Sequence, residues 1–167
     1  TGNSIYIVES ATGNVLWRGG KSGATQNFAV AGRAMDYSFP SEIRVVDMNG
    51  DRKLDRMYAA DMGGQVWRFD LTNGNAAGSL VTGGVIAQLG TAGDATPTLA
   101  ENRRFYYAPD AAFVNTRLEN FVHIGIGSGH REHPLGVVNT DRFYALRDKN
   151  VAQMTQAAFN ALTIITD

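Results

Sequence analysis

Hydrophobic and polar residues alternate over short stretches of the chain, and glycine turns separate many of these stretches. Residues 4–17 (SIYIVESATGNVLW) and residues 56–70 (RMYAADMGGQVWRFD) each contain two such stretches joined by a turn. β-Branched and aromatic residues on both sides of a glycine are typical of β-hairpins, because glycine readily adopts the positive φ of a tight connection. The pattern therefore predicts one hairpin around Gly13 and a second around Gly63 and Gly64.

Each predicted hairpin contains a tryptophan in its second strand, and these residues, Trp17 and Trp67, are 50 positions apart. This spacing is slightly above the ~40–50 residues of one β-propeller blade. We interpret the tryptophans as packing residues between blades, because large aromatic side chains are mostly found in protein cores. Residues 121–126 and 142–148 predict two more strands. At ~45 residues per blade, the chain would contain three to four blades.

The C-terminal part of the chain has a different period. Apolar residues recur there at steps of three and four, which is typical of one face of an α-helix: Val151, Met154, Ala158, Leu162 and Ile165. Asn150 or Asp148 could provide the N-terminal cap. We therefore predict a short C-terminal helix that packs against a mainly β domain.

Composition limits the classes of protein to which the chain could belong. Its 167 residues, 44% hydrophobic, fit one globular domain, 1–167. The net charge is −1 without blocks of like charge, so we expect no nucleic-acid partner. There is no cysteine, and no apolar run reaches the ~18 residues of a membrane span. Because the sequence opens directly in a predicted strand, without a signal peptide, we expect a fragment of a larger protein.

Residues 47–55 (DMNGDRKLD) place oxygen-bearing side chains at alternate positions of one loop. Carboxylates this close repel one another unless a cation lies among them. Calcium takes six to eight oxygen ligands at ~2.3–2.6 Å, often from alternate loop positions and one backbone carbonyl. The spacing predicts a calcium site with these ligands: Asp47, Asn49, Asp51, the carbonyl of Lys53, and Asp55.

The loop differs from the calcium loop of an EF-hand at two positions. Arg52 stands where the EF-hand has glycine, and Tyr58 where it has a bidentate glutamate. Apolar stretches at 43–46 and 57–60 flank the loop, so we expect it to join two strands, with Asp55 and water completing the shell. Magnesium fits less well, because it retains its own waters. The alternative is an aspartate-rich turn that binds no metal.

Three segments, in this order, closely resemble the C-terminal β-propeller domain of the PilC/PilY family of type IV pilus biogenesis and pilus-tip adhesion proteins. They are DMNGDRKLDRMYAADMGGQVWRFDL (47–71), GIGSGHREHPL (125–135) and DRFYALRD (141–148). The resemblance covers most of the chain, and the order of the motifs makes it specific. It implies an all-β fold that is part of a propeller, and the family propeller is larger than this chain.

The same resemblance implies a function and a location. Members of this family are exported bacterial proteins of the cell surface, the outer membrane or the pilus tip. By this resemblance, calcium in the loop would regulate pilus extension against retraction, and with it twitching motility and attachment. The implied partners are pilins and minor pilins, together with a host or surface adhesion ligand. The family's calcium ligands correspond to Asp47, Asn49, Asp51, Lys53 (carbonyl) and Asp55.

Two other resemblances provide alternatives. The loop is similar to the calcium hairpins of FG-GAP repeats in cell-surface interaction propellers, but those repeat the loop in several blades and here it occurs once. Residues 11–17 (ATGNVLW) resemble the blade repeat of quinoprotein dehydrogenases. Those enzymes bind a quinone over calcium on the axis of a complete propeller, often beside a disulfide. This chain has no cysteine, so we expect quinoprotein-like blades without enzymatic activity.

Two weaker signals lie in residues 124–133. The glycine-rich residues 124–129 are not followed by a helical pattern, which disfavours a phosphate-binding loop. His130 and His133 have no third metal ligand near them in sequence, so a surface loop with solvated histidines is favoured over zinc. His123 lies inside a predicted strand, where we expect a hydrogen-bonded sheet residue.

Overall fold

The computed structural model describes residues 2–30 and 32–167. Within these ranges the chain forms mostly short strands, with two short α-helices and one turn of 3-10 helix. In chain order the elements are β1 (Ile5–Val8), β2 (Val15–Gly19), β3 (Arg44–Val46), β4 (Arg56–Ala60), β5 (Gln65–Leu71), α1 (Ala77–Leu80), β6 (Val81–Gln88), the 3-10 turn (Leu99–Glu101), β7 (Asp110–Asn115), β8 (Asn120–Gly127), β9 (Phe143–Asp148), α2 (Gln156–Asn160) and β10 (Ile165–Thr166).

The described strands form three sheets. β1 and β2 make a two-stranded sheet, the central sheet has the order β10-β6-β5-β4-β3, and the third has the order β7-β8-β9. Neighbouring strands are antiparallel except for β10, which pairs with β6 in parallel. The mainly β class predicted from the sequence is thus confirmed, and the arrangement of blades around an axis stays a prediction.

Both predicted hairpins are present. Gly13 lies between β1 and β2 with φ +77°, and Gly64 lies between β4 and β5 with φ +81°. A Cβ atom at Gly64 would come within 2.5 Å of the Cα of Gly90, so a side chain would be excluded there even without the positive φ. Trp17 and Trp67 are both almost completely buried, which confirms that they are core residues.

The middle of the central sheet, strands β4 and β5, is buried on both faces. One face packs against the β1–β2 hairpin, in an apolar cluster that includes Ile5, Trp17 and Trp67. The other face packs against the β7-β8-β9 sheet, in a cluster that includes Tyr58 and Ile124. Every residue of β4 and β5 is therefore buried, including the charged ones.

The C-terminal helix is much shorter than the apolar stripe predicts. α2 has five residues, and Ile165, the last residue of the stripe, lies in β10. The N-cap is Thr155, whose hydroxyl accepts a hydrogen bond from the backbone N–H of Ala158 (3.2 Å); the proposed cap Asn150 or Asp148 was wrong. The physical reason is that residues 150–152 follow the buried arginines instead of a helical path, because their carbonyls accept hydrogen bonds from Arg56 and Arg68.

The turn between β4 and β5 is organised by a buried carboxylate, Asp61. Its Oδ1 accepts hydrogen bonds from the backbone N–H groups of Gly63 (2.9 Å) and Gln65 (3.0 Å). Its Oδ2 accepts from Gln65 Nε2 and Trp67 Nε1, both at 2.8 Å. Burial raises the pKa of Asp61, whereas these four donors act in the opposite direction. The carboxylate therefore connects the tight turn to the tryptophan in the core.

We expect Asp61→Asn to destabilise the fold by about 1–3 kcal/mol, because an amide NH₂ would face two of the four donors. Urea denaturation followed by tryptophan fluorescence measures this loss. Asp110→Asn is a suitable control, because the Asp110 side chain is 80% exposed and pairs only with the half-exposed Arg44. Equal stability of Asp61→Asn and the parent would show that the four bonds contribute nothing.

Candidate metal centre

The predicted calcium loop connects β3 to β4. The two strands pair antiparallel with Val46 opposite Arg56, and the N–H of Asp55 donates to the carbonyl of Val46 (3.1 Å). This pairing brings the first and last residues of the loop side by side. The prediction that the loop joins two strands is therefore confirmed, and the local hydrophobic pattern determines where the carboxylates lie.

The backbone of the loop curls around the side chain of Asp47. Oδ1 of Asp47 accepts from the N–H groups of Asn49 (3.1 Å) and Gly50 (2.7 Å), and Oδ2 accepts from that of Arg52 (2.8 Å). Asn49 and Asp51 make the same kind of bond: each accepts from the backbone N–H two residues later, that of Asp51 (2.8 Å) and that of Lys53 (2.9 Å). Short polar side chains favour such turns, because they replace backbone acceptors locally. These successive hydrogen bonds define the turns of the loop.

Three of the five predicted ligands come together. Asp47, Asp51 and Asp55 each offer an oxygen, and these oxygens lie within 4.8 Å of one another. Two ligands on one calcium ion lie at most about 4.6–5.2 Å apart, which is twice the usual calcium–oxygen distance. Within residues 2–30 and 32–167, this is the one group of three acidic or histidine residues with such geometry. Asn49 and the carbonyl of Lys53 stay predicted ligands.

Arg52 occupies the position of the EF-hand glycine and adopts a backbone conformation that is typical of glycine. Arg52 has φ +68°, in the left-handed region, and Gly50 has φ +81°. A non-glycine residue pays about 1–2 kcal/mol for this conformation. The chain therefore turns sharply at the position where an EF-hand loop has its glycine, although the residue there is arginine.

The hydrogen bonds within the loop favour the ionised form of the Asp47 carboxylate. The hydrogen bond from the Arg52 backbone N–H lowers the pKa of Asp47, the slight burial opposes this, and the N–H groups of Gly50, Asn49 and Asp51 lower it further. These donors stabilise the ionised carboxylate. Asp47 therefore stays deprotonated to a lower pH than an ordinary aspartate, which keeps it available to a cation.

Asp55 links the loop to the interior. Its Oδ2 accepts from the N–H of Met48 (2.8 Å), and its own carbonyl accepts from the N–H of Leu71 in β5 (2.8 Å). A pocket of about 190 Å³ lies between the loop and the core, and Asp55, Arg56 and Asp70 contribute to its wall. The position of Asp55 thus depends both on the loop and on the central sheet.

Directly behind Asp55 lies a buried ionic cluster, which we define as Arg56, Arg68, Asp70 and Asp148. Arg56 Nε lies 2.8 Å from Asp70 Oδ1, Arg68 Nη2 lies 2.6 Å from Asp70 Oδ2, and Arg68 Nη1 lies 3.0 Å from Asp148 Oδ2. Two positive and two negative charges balance, and all four side chains are almost fully buried.

The ionic cluster also holds the segment between β9 and α2 against the sheet. Arg56 Nη2 donates to the carbonyl of Val151 (2.9 Å), and Arg68 donates to those of Asn150 (2.6 Å) and Ala152 (2.8 Å). The N–H of Met154 donates to Asp70 Oδ2 (2.8 Å). A continuous set of contacts therefore runs from the 47–55 loop through the sheet to residues 150–154.

Sequence reasoning missed the ionic cluster, although a signal was present. Arg68 and Asp70 alternate with Trp67 and Phe69 in β5, which is the usual pattern of a strand with one solvated face. The structure buries both faces. The available indication of an internal ion network was that Arg68 and Asp70 alternate with large aromatic residues in β5, while Arg56 lies in the neighbouring strand β4.

The histidines lie in a loop, His130 and His133, and in a strand, His123, as the sequence predicts. His130 and His133 are close, with ring centroids 5.0 Å apart, and His130 Nε2 is 3.7 Å from a carboxylate oxygen of Glu132. They do not belong to the metal-capable group found among the described residues. His123 lies in β8 opposite Arg147 and is partly buried, as expected of a sheet residue.

The fold of the chain is shared with a solved bacterial domain. No protein-family model and no curated protein sequence matches the chain. The solved structure is the PilY1 C-terminal domain from Pseudomonas aeruginosa, with a TM-score of 0.56 and 18% sequence identity. The match covers 98% of this chain and 34% of that one, so the chain spans about a third of the solved structure. The resemblance indicated by the sequence motifs is thereby confirmed as a likeness of fold.

The helices of the described chain are too short and too polar to cross a lipid bilayer.

Proposed function

We propose that the chain is the calcium-binding module of a PilC/PilY-type pilus biogenesis and adhesion protein, with residues 1–167 as one domain of its β-propeller. In this proposal the protein is exported to the cell surface, the outer membrane or the pilus tip. Calcium occupancy regulates pilus extension and retraction and, with them, surface attachment. The partners are pilins and minor pilins, and a host or surface ligand.

The observation that carries this proposal is the convergence of Asp47, Asp51 and Asp55 in a chain with the PilY1 C-terminal fold. Neither part alone would be sufficient. Exposed acidic clusters are common on proteins, and one fold supports several functions. Here the oxygen-bearing residues Asp47, Asn49 and Asp51 occupy alternate positions of one loop, and Asp55 follows at its end, a spacing that itself predicts a calcium site. The loop and the fold support the same family.

Calcium fits the donor set better than magnesium or a transition metal. The ligand atoms are carboxylate, amide and carbonyl oxygens, which hard cations prefer. Magnesium keeps most of its waters and seldom uses a dense set of protein ligands. Asp47 and Asp51 are exposed, so water can reach the ion and complete a shell of six to eight oxygens. The function of the ion is structural, and no catalytic residue is assigned.

The contacts behind the loop suggest how occupancy could reach a partner. Bound calcium would attract Asp55, and Asp55 is followed immediately by Arg56 of the ionic cluster. That cluster holds residues 150–154 through their carbonyls. Calcium therefore acts on two surfaces in this proposal, the loop itself and the segment before α2. A pilus component in contact with either surface would respond to the ion.

Isothermal titration calorimetry of the chelator-treated chain tests calcium binding. We expect one site with a dissociation constant on the order of 10⁻⁶ to 10⁻⁴ M, because the missing twelfth-position glutamate weakens it relative to tight EF-hand sites. Magnesium at the same concentrations should give binding weaker by about tenfold or more. Saturating calcium should raise the melting temperature, because the ion binds the folded chain.

The pilus assignment needs a separate measurement. A strain carrying the full-length protein with the 47–55 loop inactivated should still export the protein but show altered twitching motility. Normal motility with a loop that demonstrably no longer binds calcium would contradict the regulatory part of the proposal. Absence of calcium binding in the calorimeter would contradict the metal site itself.

A further inference from the structure

The β7-β8-β9 sheet ends on one side at an open strand, β9. Among the described strands β9 pairs only with β8, and the register is regular from Val122 opposite Asp148 to Gly127 opposite Phe143. Edge strands present a row of unpaired N–H and carbonyl groups, and many are protected from other chains by a proline or a bulge. β9 contains neither. Its edge is therefore a template for a further strand.

The register also shows which backbone groups of β9 face outward. The N–H of Ser128 donates to the carbonyl of Arg142 (2.8 Å), and this pair continues the register of β8 with β9. In an antiparallel pair, hydrogen-bonded and non-bonded positions alternate. The N–H and carbonyl groups of Phe143, Ala145 and Arg147 therefore point away from β8. Within the described ranges they form no backbone hydrogen bond to another segment.

The side chains of the same three residues are exposed. Phe143 is 75% exposed, although one side of its ring lies over β8, where a Cβ atom at Gly125 would come within 3.2 Å of its Cζ. The side chain of Arg147 is 58% exposed. Ala145 lies exposed between them and is small, so it leaves the middle of the edge accessible to another backbone. A strand added there would also cover a large aromatic ring.

The charges at the two ends of β9 are unbalanced in opposite senses. At the C-terminal end, Arg147 and Lys149 share one carboxylate, that of Glu119 (2.7 and 3.2 Å), so a positive charge is in excess. At the N-terminal end, Asp141 accepts a hydrogen bond from the Ser128 hydroxyl (3.1 Å) and pairs with no cation among the described residues. An antiparallel neighbour should therefore be positive opposite Asp141 and negative opposite Lys149. The sequence of β9 itself has this pattern.

We propose that the open edge of β9 binds β9 of a second copy of this chain, antiparallel and with Ala145 opposite Ala145. In this register Phe143 lies opposite Arg147 and Asp141 opposite Lys149, and two-fold symmetry makes each contact twice. Opposite charges across two strands are stabilising, whereas like charges are destabilising. The outward backbone groups then pair in full, because each facing pair exchanges two hydrogen bonds. This interface does not involve the 47–55 loop, and the inference does not depend on calcium.

Sedimentation equilibrium of the whole chain tests the proposal. We expect a monomer–dimer equilibrium with a dissociation constant on the order of 10⁻⁵ M, because pairing of single strands buries little surface, and the same value with calcium and with chelator. Ala145→Pro should weaken dimerisation by about tenfold or more, since it removes an outward N–H at the centre of the pair. The melting temperature should change little, because proline is tolerated in an edge strand where the N–H faces solvent.

An exchange of charges tests the register without altering the backbone. Asp141→Lys and Lys149→Glu each place like charges opposite one another, so each should weaken dimerisation by about tenfold. The double variant Asp141→Lys/Lys149→Glu restores opposite charges and should return to within about threefold of the parent. Lys21→Glu is the matched control, because Lys21 is exposed and pairs with Asp36 outside this sheet, and it should dimerise like the parent.

Three results would overturn the proposal. The first is a chain that stays monomeric up to about 1 mM, which would leave the edge to a strand of a different protein. The second is Ala145→Pro with the affinity of the parent, which would place the contact between copies elsewhere. The third is a double variant that dimerises as weakly as the single ones, because Asp141 and Lys149 would then not face each other.

Discussion

Replacing Arg68 with methionine should destabilise the chain by about 3–5 kcal/mol, which is a large part of the stability of an ordinary domain. The Arg68 side chain is completely buried and donates to both carboxylates of the ionic cluster, Asp70 and Asp148. Methionine has a similar length but no donor. Two buried carboxylates would then share a single cation, Arg56, and the carbonyls of Asn150 and Ala152 would lose a donor.

The expected loss of stability is large because breaking a buried ion pair costs more free energy than forming the pair contributes. A complete pair contributes little net stability, because desolvation offsets much of the attraction. Removal of one partner leaves the other buried without compensation, and the full desolvation cost appears. Burial and the Asp148 carboxylate also raise the pKa of Tyr58, which therefore stays protonated and donates to Asp148 Oδ2 (2.7 Å). That single neutral donor cannot replace a guanidinium.

Urea denaturation measures the effect, and Arg147→Met is the matched control. Arg147 also pairs with a carboxylate, at 2.7 Å from Glu119, but its side chain is 58% exposed, so the change should cost at most about 1 kcal/mol. The double variant Arg68→Met/Asp148→Asn restores the charge balance and should recover part of the loss. If Arg68→Met were as stable as Arg147→Met, the cluster would not hold the fold together.

The sequence predicts the hairpins well because their determinants are local. A glycine turn between two apolar stretches fixes both the connection and its neighbours, as at Gly13 and Gly64. The 47–55 loop is predictable for the same reason, because its carboxylates are contributed by nine consecutive residues. Their approach to within 4.8 Å needs only the antiparallel pairing of β3 with β4.

In the C-terminal helix, long-range hydrogen bonds override the local hydrophobic pattern. The stripe from Val151 to Ile165 has helical spacing, yet the buried arginines bind the carbonyls of residues 150–152. A guanidinium without acceptors in the core would be far more costly than a shorter helix. These long-range hydrogen bonds therefore outweigh the helical periodicity, and α2 begins only at Gln156.

Contacts between distant segments were not predictable from the sequence. Arg104 and Gly129 are joined by a hydrogen bond across 25 positions, and no local motif indicates that the two segments meet. By themselves, the glycine-rich residues 124–129 resemble only a phosphate-binding loop. Sites assembled from distant segments require the tertiary structure, whereas sites within one loop do not.

Asp55→Ala should weaken calcium binding by about 100-fold or more while the fold stays largely intact. Asp55 is predicted to close the shell in the absence of a twelfth-position glutamate, and its carboxylate belongs to the triad within 4.8 Å. The same carboxylate accepts from the N–H of Met48, so a small loss of stability, about 1 kcal/mol, should accompany the change. Calorimetry and melting temperature separate the two effects.

Asp94→Ala is the matched control, because Asp94 is exposed and accepts from the N–H of Thr96 (2.9 Å) in a turn of the same kind. It removes a carboxylate and an Asx turn but no predicted calcium ligand. Its calcium affinity should equal that of the parent. If Asp55→Ala also retained the parent affinity, the ligand assignment would be wrong.

Asp55→Lys tests whether the ion acts by neutralising the loop. Asp47 and Asp51 repel each other at this distance, and bound calcium removes the repulsion. An ammonium in place of the carboxylate would supply positive charge permanently, so the variant should bind no calcium yet hold its loop closed. Amide hydrogen exchange of residues 48–53 should then be slow in Asp55→Lys without calcium, slow in the parent with calcium, and fast in Asp55→Ala. Fast exchange in both variants would mean that closure requires coordination geometry, because charge alone would then have failed to hold the loop.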